Sequence, residues 1–138
     1  MKDCVLIRKK EVNNVLALEP MRGKRQLEPF RALFLSKKIP FGIMEDHEVS
    51  EAEAEVHKHE ADLWIGLEGK AEFIYGGELV EPWIREGTHS NELGGEDIKG
   101  GTKVVLKAGD ILYIPAGQPH MHTSSKTARM LIIKIPER

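Results

Sequence analysis

Two stretches decide the fold: Gly109-Asp110-Ile111-Leu112-Tyr113-Ile114-Pro115-Ala116-Gly117-Gln118-Pro119-His120 and, upstream, His57-Lys58-His59. Residues i and i+2 of a strand project to the same face. On extended chain His57 and His59 therefore aim at one point, whereas on a helix they would lie about 200° apart. The later stretch holds a short apolar run, Ile111 to Ile114, and then a proline and a glycine that shape a turn presenting His120. Proline fixes φ and glycine tolerates positive φ, which suits that task. Three imidazoles in two extended contexts point to one metal site.

Around these stretches the chain reads as short strands. Leu63 to Leu67 runs into the turn Glu68-Gly69-Lys70, and Ala71 to Tyr75 returns as its hairpin partner. Lys103 to Leu106, Ile111 to Ile114 and Arg129 to Ile135 supply further apolar runs. Cys4 to Ile7 and Ala32 to Leu35 read as N-terminal strands, with turn chemistry between them at Glu19 to Gly23. Ser50 to Glu55 has helical propensity, but the histidine pair that follows requires extended chain, and we read it so. That choice puts Glu53 and Glu55 on the face of His57, which suits a barrel mouth or a strand that begins later than Glu55. Residues 85 to 102 are rich in glycine and poor in apolar side chains, which reads as a long loop. Turn-rich short strands without helical periodicity indicate an all-β sandwich or barrel.

The two stretches together resemble the motifs of the cupin superfamily. Gly109, Pro115, Gly117 and His120 match its second motif, G-x5-P-x-G-x2-H-x3-N, with Ser124 where asparagine is usual. His57, His59 and Gly69 match the first motif, G-x5-H-x-H-x(3,4)-E-x6-G. Glu51 stands at its leading glycine and Asp62 at its carboxylate, with two residues rather than three or four after His59. The resemblance covers residues 51–124 and implies a cupin-type double-stranded β-helix, or jelly-roll barrel, over residues 1–138, with residues 1–35 as N-terminal strands.

The implied ligand set is His57, His59, Asp62 and His120 around one divalent transition metal ion, Fe, Mn, Ni, Co or Zn, among which affinity order alone does not choose. Counting by two along the strand puts Asp62 with Trp64 and Gly66. Its alternatives are to hold a ligand histidine or to cap the turn. His122, two residues after His120, enters the same cavity as a general base, as a partner of the ligands, or as a polar residue at the rim. Trp64 and Tyr113 are candidates for the pocket wall or for the core. The family's chemistry includes oxygenation, isomerisation, lyase and decarboxylation reactions. A dioxygenase acting on a small polar molecule is the first expectation, then a metal-assisted isomerase or lyase. A non-catalytic cupin that binds a metal or a small ligand is the alternative.

Composition narrows the partners. The 138 residues suffice for one core, and a net charge of −2 with short, interrupted basic clusters argues against a nucleic-acid surface. The single cysteine, Cys4, excludes an intrachain disulfide. No apolar run approaches the ~20 residues of a membrane span, so no membrane partner and a cytoplasmic location are expected. A homodimer is expected too, with the N-terminal strands extending a sheet across a twofold axis.

Overall fold

Alternating burial along short strands, punctuated by glycine turns, builds two antiparallel sheets that share one long strand. The computed structural model describes residues 2–137. In chain order the elements are α1 (Lys9–Leu16), β1 (Gly23–Gln26), α2 (Phe30–Leu35), β2 (Phe41–Val49), β3 (Ala54–His57) and β4 (Glu60–Glu68). There follow β5 (Lys70–Tyr75), β6 (Glu78–Val80), β7 (Trp83–Ile84), β8 (Glu92–Gly95), β9 (Asp97–Lys99), β10 (Thr102–Lys107), β11 (Ile111–Ile114) and β12 (His120–Pro136). One sheet runs β1-β2-β12-β4-β11 and the other β10-β5-β12-β3-β8-β7. β12 passes from the second sheet to the first through an irregularity between Ser124 and Thr127. The result is the all-β jelly roll that the motifs imply.

The barrel interior holds Trp64, Ala71, Phe73, Leu106, Ile114, Ala128, Met130 and Ile132. Two glycines make this closure possible. A Cβ at Gly66 would stand 2.1 Å from the carbonyl oxygen of Lys107, and Gly69 turns with φ +67° where a Cβ would meet the carbonyl of Thr127. The motif glycine at 69 thus marks a close backbone approach.

The N-terminal region departs from expectation. Ala32 to Leu35 belongs to α2, Cys4 to Ile7 lies outside any regular element, and α1 was not anticipated. Val15, Leu27, Phe30, Ile39 and Ile43 form a second core, against which Ile7, Val12, Leu33, Phe34 and Leu131 pack. Tertiary burial outweighs the strand-like look of short apolar runs, which periodicity alone does not separate from helix. The sheet extension expected from residues 4–7 and 32–35 therefore has no strands to run through. A buried Arg129 fastens this layer to the barrel: it donates to Glu45 Oε1, to Glu68 Oε1 and to the carbonyls of Leu16 and Leu18. Glu45 is closed from its other side by Arg25 Nε at 2.7 Å.

Residues 85–102, read as a structureless loop, contain β8 and β9. Gly94, Gly95 and Gly101 there admit close neighbours; a Cβ at Gly94 would collide with the indole of Trp83.

Candidate metal centre

β3 carries Glu55 and His57 on one face, as alternation requires, and ends there. Its pairing with β12 sets Glu55 directly opposite His120. The turn of the second motif then pins this end of the strand, because the Gly117 N–H donates to the His57 carbonyl at 2.8 Å. Gly117 takes φ +87°, the left-handed region for which a glycine was expected. On β4, Asp62, Trp64 and Gly66 share the buried face, as counting by two requires. Asp62 thereby arrives beside the two imidazoles.

Four acceptor atoms converge. His120 Nε2 lies 3.2 Å from Asp62 Oδ2 and 3.4 Å from Glu55 Oε1, and His57 Nε2 lies 3.6 Å and 3.7 Å from the same two oxygens. The ring centroids are 5.2 Å apart. Each imidazole is held by its other nitrogen: His57 Nδ1 donates to Glu92 Oε1 at 2.7 Å and His120 Nδ1 to the Gln118 carbonyl at 3.1 Å. Such partners fix the tautomer and aim the Nε2 lone pair at a metal. Asp62 Oδ2 and His120 Nε2 are buried without a hydrogen-bond partner, so lone pairs face lone pairs until a cation or protons intervene. Donors ~2.0–2.2 Å from a common ion are about 3–3.6 Å from one another at tetrahedral or adjacent octahedral corners. The observed separations of 3.2–3.7 Å are close to that spacing. The ligand atoms of Glu55, His57 and His120, a group without Asp62, all lie within 4.8 Å of one another, which fits a divalent transition ion.

The electrostatics agree. Burial pushes His57 down, but hydrogen bonds to Asp62 and Glu55 outweigh it and raise its pKa to about 10. Burial likewise opposes ionisation of Glu55 and Asp62, yet the imidazoles hold both carboxyls well below the usual range. His120 is raised by the same carboxylates against its own burial. The cluster demands positive charge.

The expected residues divide. His57, His120 and Asp62 come together, but His59 is exposed and stands apart from them. The chain leaves the strand at Lys58-His59, so the i, i+2 rule fails, and the His59 carbonyl is taken by the Glu137 N–H. Glu55 takes the place expected of His59, two residues before His57 rather than two after. Its shared face with His57 was legible in the sequence; the opposing register with His120 was not. Trp64 is 2 % exposed and packs on His122 and Phe73, so it belongs to the core behind the site. Tyr113 corrects the pocket reading. It points outward and binds Glu137, because Ile114 takes the inward parity on β11.

His122 does enter the interior. Its Nδ1 donates to the fully buried Asp46 at 2.5 Å, and Lys24 Nζ stands 3.2 Å from the same nitrogen. Its burial lowers the imidazole pKa, although Asp46 opposes that. His122, Lys24 and Glu55 line one cavity of about 560 Å³, whose mouth is formed by Val49 to Glu53. Sequence reasoning missed Asp46 and Lys24, and it missed Arg85 and Glu92, which brace the ligands from the glycine-rich segment. Arg85 binds Glu55 Oε2 at 2.6 Å.

Comparison with solved structures places this architecture. The cupin domain of Drosophila melanogaster CENP-C superposes with a TM-score of 0.52 at 14% identity, over 72% of this chain and 58% of that one. The chain adopts the cupin fold. A predicted oxalate decarboxylase from Thermotoga maritima gives 0.51 at 18% identity, over 82% of this chain and 78% of that one. A second structure of the CENP-C domain gives 0.52 at 11% identity, over 95% and 85%. At these identities the likeness concerns the fold alone. No family model and no curated protein matches this chain. Among the described residues, no helix is long and apolar enough to cross a membrane.

Proposed function

We propose that this cupin is a metal-dependent enzyme that moves a proton on a small polar molecule bound in the cavity of His122 and Glu55. The observation that carries the reading is the convergence of two tautomer-locked imidazoles and two carboxylates whose free atoms are all acceptors. Glu55, His57, Asp62 and His120 would hold the ion. When bound, a divalent ion supplies Lewis acidity that polarises a substrate oxygen.

The chain's own residues supply the rest. Asp46 keeps the proton of His122 on Nδ1, which leaves Nε2 as the accepting atom. Burial holds that imidazole neutral, which leaves Nε2 unprotonated. Trp64 and Phe73, with ring centroids 4.9 and 5.0 Å from His122, fix its plane and exclude water from its back. This oriented carboxylate–imidazole pair favours isomerase or lyase chemistry over the dioxygenase expected first.

The test uses protein purified without added metal and titrated with Zn, Mn and Fe(II), followed by solvent-deuterium exchange over a panel of small hydroxy and oxo acids. One ion per chain and exchange that His122→Asn abolishes without losing metal are expected. Oxygen uptake over the same panel with no exchange would return the dioxygenase reading. The non-catalytic alternative has one observation in its favour: the ammonium of Lys134 already lies 3.3 Å from His57 Nε2.

A further inference from the structure

Among the described residues two cations touch the ligand cluster: Arg85 meets only the outer oxygen of Glu55, whereas Lys134 reaches a ligand nitrogen. It reaches in from β12, opposite Asp62 in the sheet. Its Nζ donates to Asp62 Oδ1 at 2.6 Å and lies 3.3 Å from His57 Nε2, the atom that a metal needs. The two oxygens of Asp62 are thus divided, with Oδ1 to the lysine and Oδ2 to the cluster. A second carboxylate stands behind the lysine, Glu60 Oε1 at 3.9 Å from the same nitrogen. Lys134 and Glu60 both line a cavity of about 660 Å³, together with Lys37, Lys38 and Pro136. That cavity is distinct from the one holding His122. The lysine therefore stands between an inner and an outer carboxylate, with room on the outer side.

We propose that Lys134 is a tethered competitor of the metal: it occupies His57 in the metal-free cluster and moves toward Glu60 when a divalent ion binds. This rests on the metal reading above. The physical reason is charge. An ammonium and a divalent ion cannot both stand against Asp62 and His57 Nε2, because their repulsion at a few ångströms opposes it. Glu60 lowers the cost of displacement by offering the ammonium a partner outside. Lys134 then sets how tightly the site holds its ion, and Glu60 sets it only through Lys134.

The experiment is a double-mutant cycle in divalent affinity, measured by calorimetric titration of chelator-treated protein with Zn or Mn. Lys134→Met is expected to tighten binding by roughly tenfold or more, and Lys134→Arg, which keeps the charge, to leave it near wild type. Glu60→Gln is expected to weaken binding several-fold in the wild-type background and to have no effect in Lys134→Met. Circular dichroism and thermal melts of each variant confirm folding. Should Lys134→Met misfold because Asp62 is left buried and unpaired, Lys134→Gln takes its place, with Glu60→Gln alone still reading the outer position. Weaker or unchanged affinity in the lysine variants, or a Glu60→Gln effect that persists without the lysine, overturns the proposal and leaves the metal site standing. Absence of binding in the wild type and every variant overturns the metal reading, and this inference with it.

Discussion

Two clusters of buried charge flank β12, and they are built on opposite principles. Around Arg129, each carboxylate oxygen of Glu45 meets a guanidinium or a backbone N–H, and the arginine closes two helix-end carbonyls as well. Around His120, Asp62 Oδ2 and His120 Nε2 face each other without a donor, while Lys134 and Arg85 take only Asp62 Oδ1, His57 Nε2 and Glu55 Oε2. The first arrangement is satisfied by its own residues and does structural work. A cluster left short of a cation in a folded protein marks a place where one binds. Buried charge alone does not distinguish the two; the count of donors against acceptors does.

The largest effect expected is loss of the ion. His120→Ala removes a ligand and should abolish stoichiometric metal binding in calorimetry while the barrel stays folded. Full occupancy in that variant would dissolve the contrast. Arg129→Ala should do the reverse, lowering stability by about 1–3 kcal/mol because Glu45 Oε1 is left buried and unpaired while Arg25 still holds Oε2, with metal stoichiometry unchanged. Chemical denaturation measures it, and a loss below ~1 kcal/mol would make that cluster ornamental.

A smaller effect belongs to the bracing residues. Glu92→Gln weakens the hold on His57 Nδ1 and should reduce metal affinity by roughly 10–100-fold. An unchanged dissociation constant would remove Glu92 from the site.

The pH response also separates the clusters. In metal-free protein the raised pKa of His57, about 10, stabilises the fold fully below its unfolded value of ~6.5, and that stabilisation is lost as pH rises through 10. The depressed carboxyls Glu55 and Asp62 act with the other sign, losing their contribution only in strong acid. Between pH 7 and 10 the chelated protein should therefore lose stability, seen as a falling urea midpoint. The arginine cluster contributes no such slope, since guanidinium stays charged there. A midpoint that holds or rises across that range would contradict the assigned charge state.

Much of this was legible in the chain. The turn at Pro115 and Gly117 and the inward parity of Asp62 and His122 follow from local rules, and they hold. His59 failed because alternation applies only while a strand continues, and nothing local signals that β3 stops at His57. Glu55 was visible as a neighbour of His57, but its convergence with His120 depends on a register between segments 65 residues apart. Lys134 and Asp46 lie in ordinary apolar-polar strands, where only the closed barrel reveals what they touch. α2 was missed because the apolar run Ala32 to Leu35 carries no period, and α1 because it sets only Val12, Val15 and Leu16 at helical spacing among polar residues.

The central claim is the identity of the ligands. A crystal of the metal-loaded protein, with anomalous difference maps at the metal edge, tests it most directly. The account predicts one peak within bonding distance of His57 Nε2 and His120 Nε2 and of carboxylate oxygens from Glu55 and Asp62, with His59 remaining in solvent. A peak coordinated by His59, or no peak at His57 and His120, would contradict it.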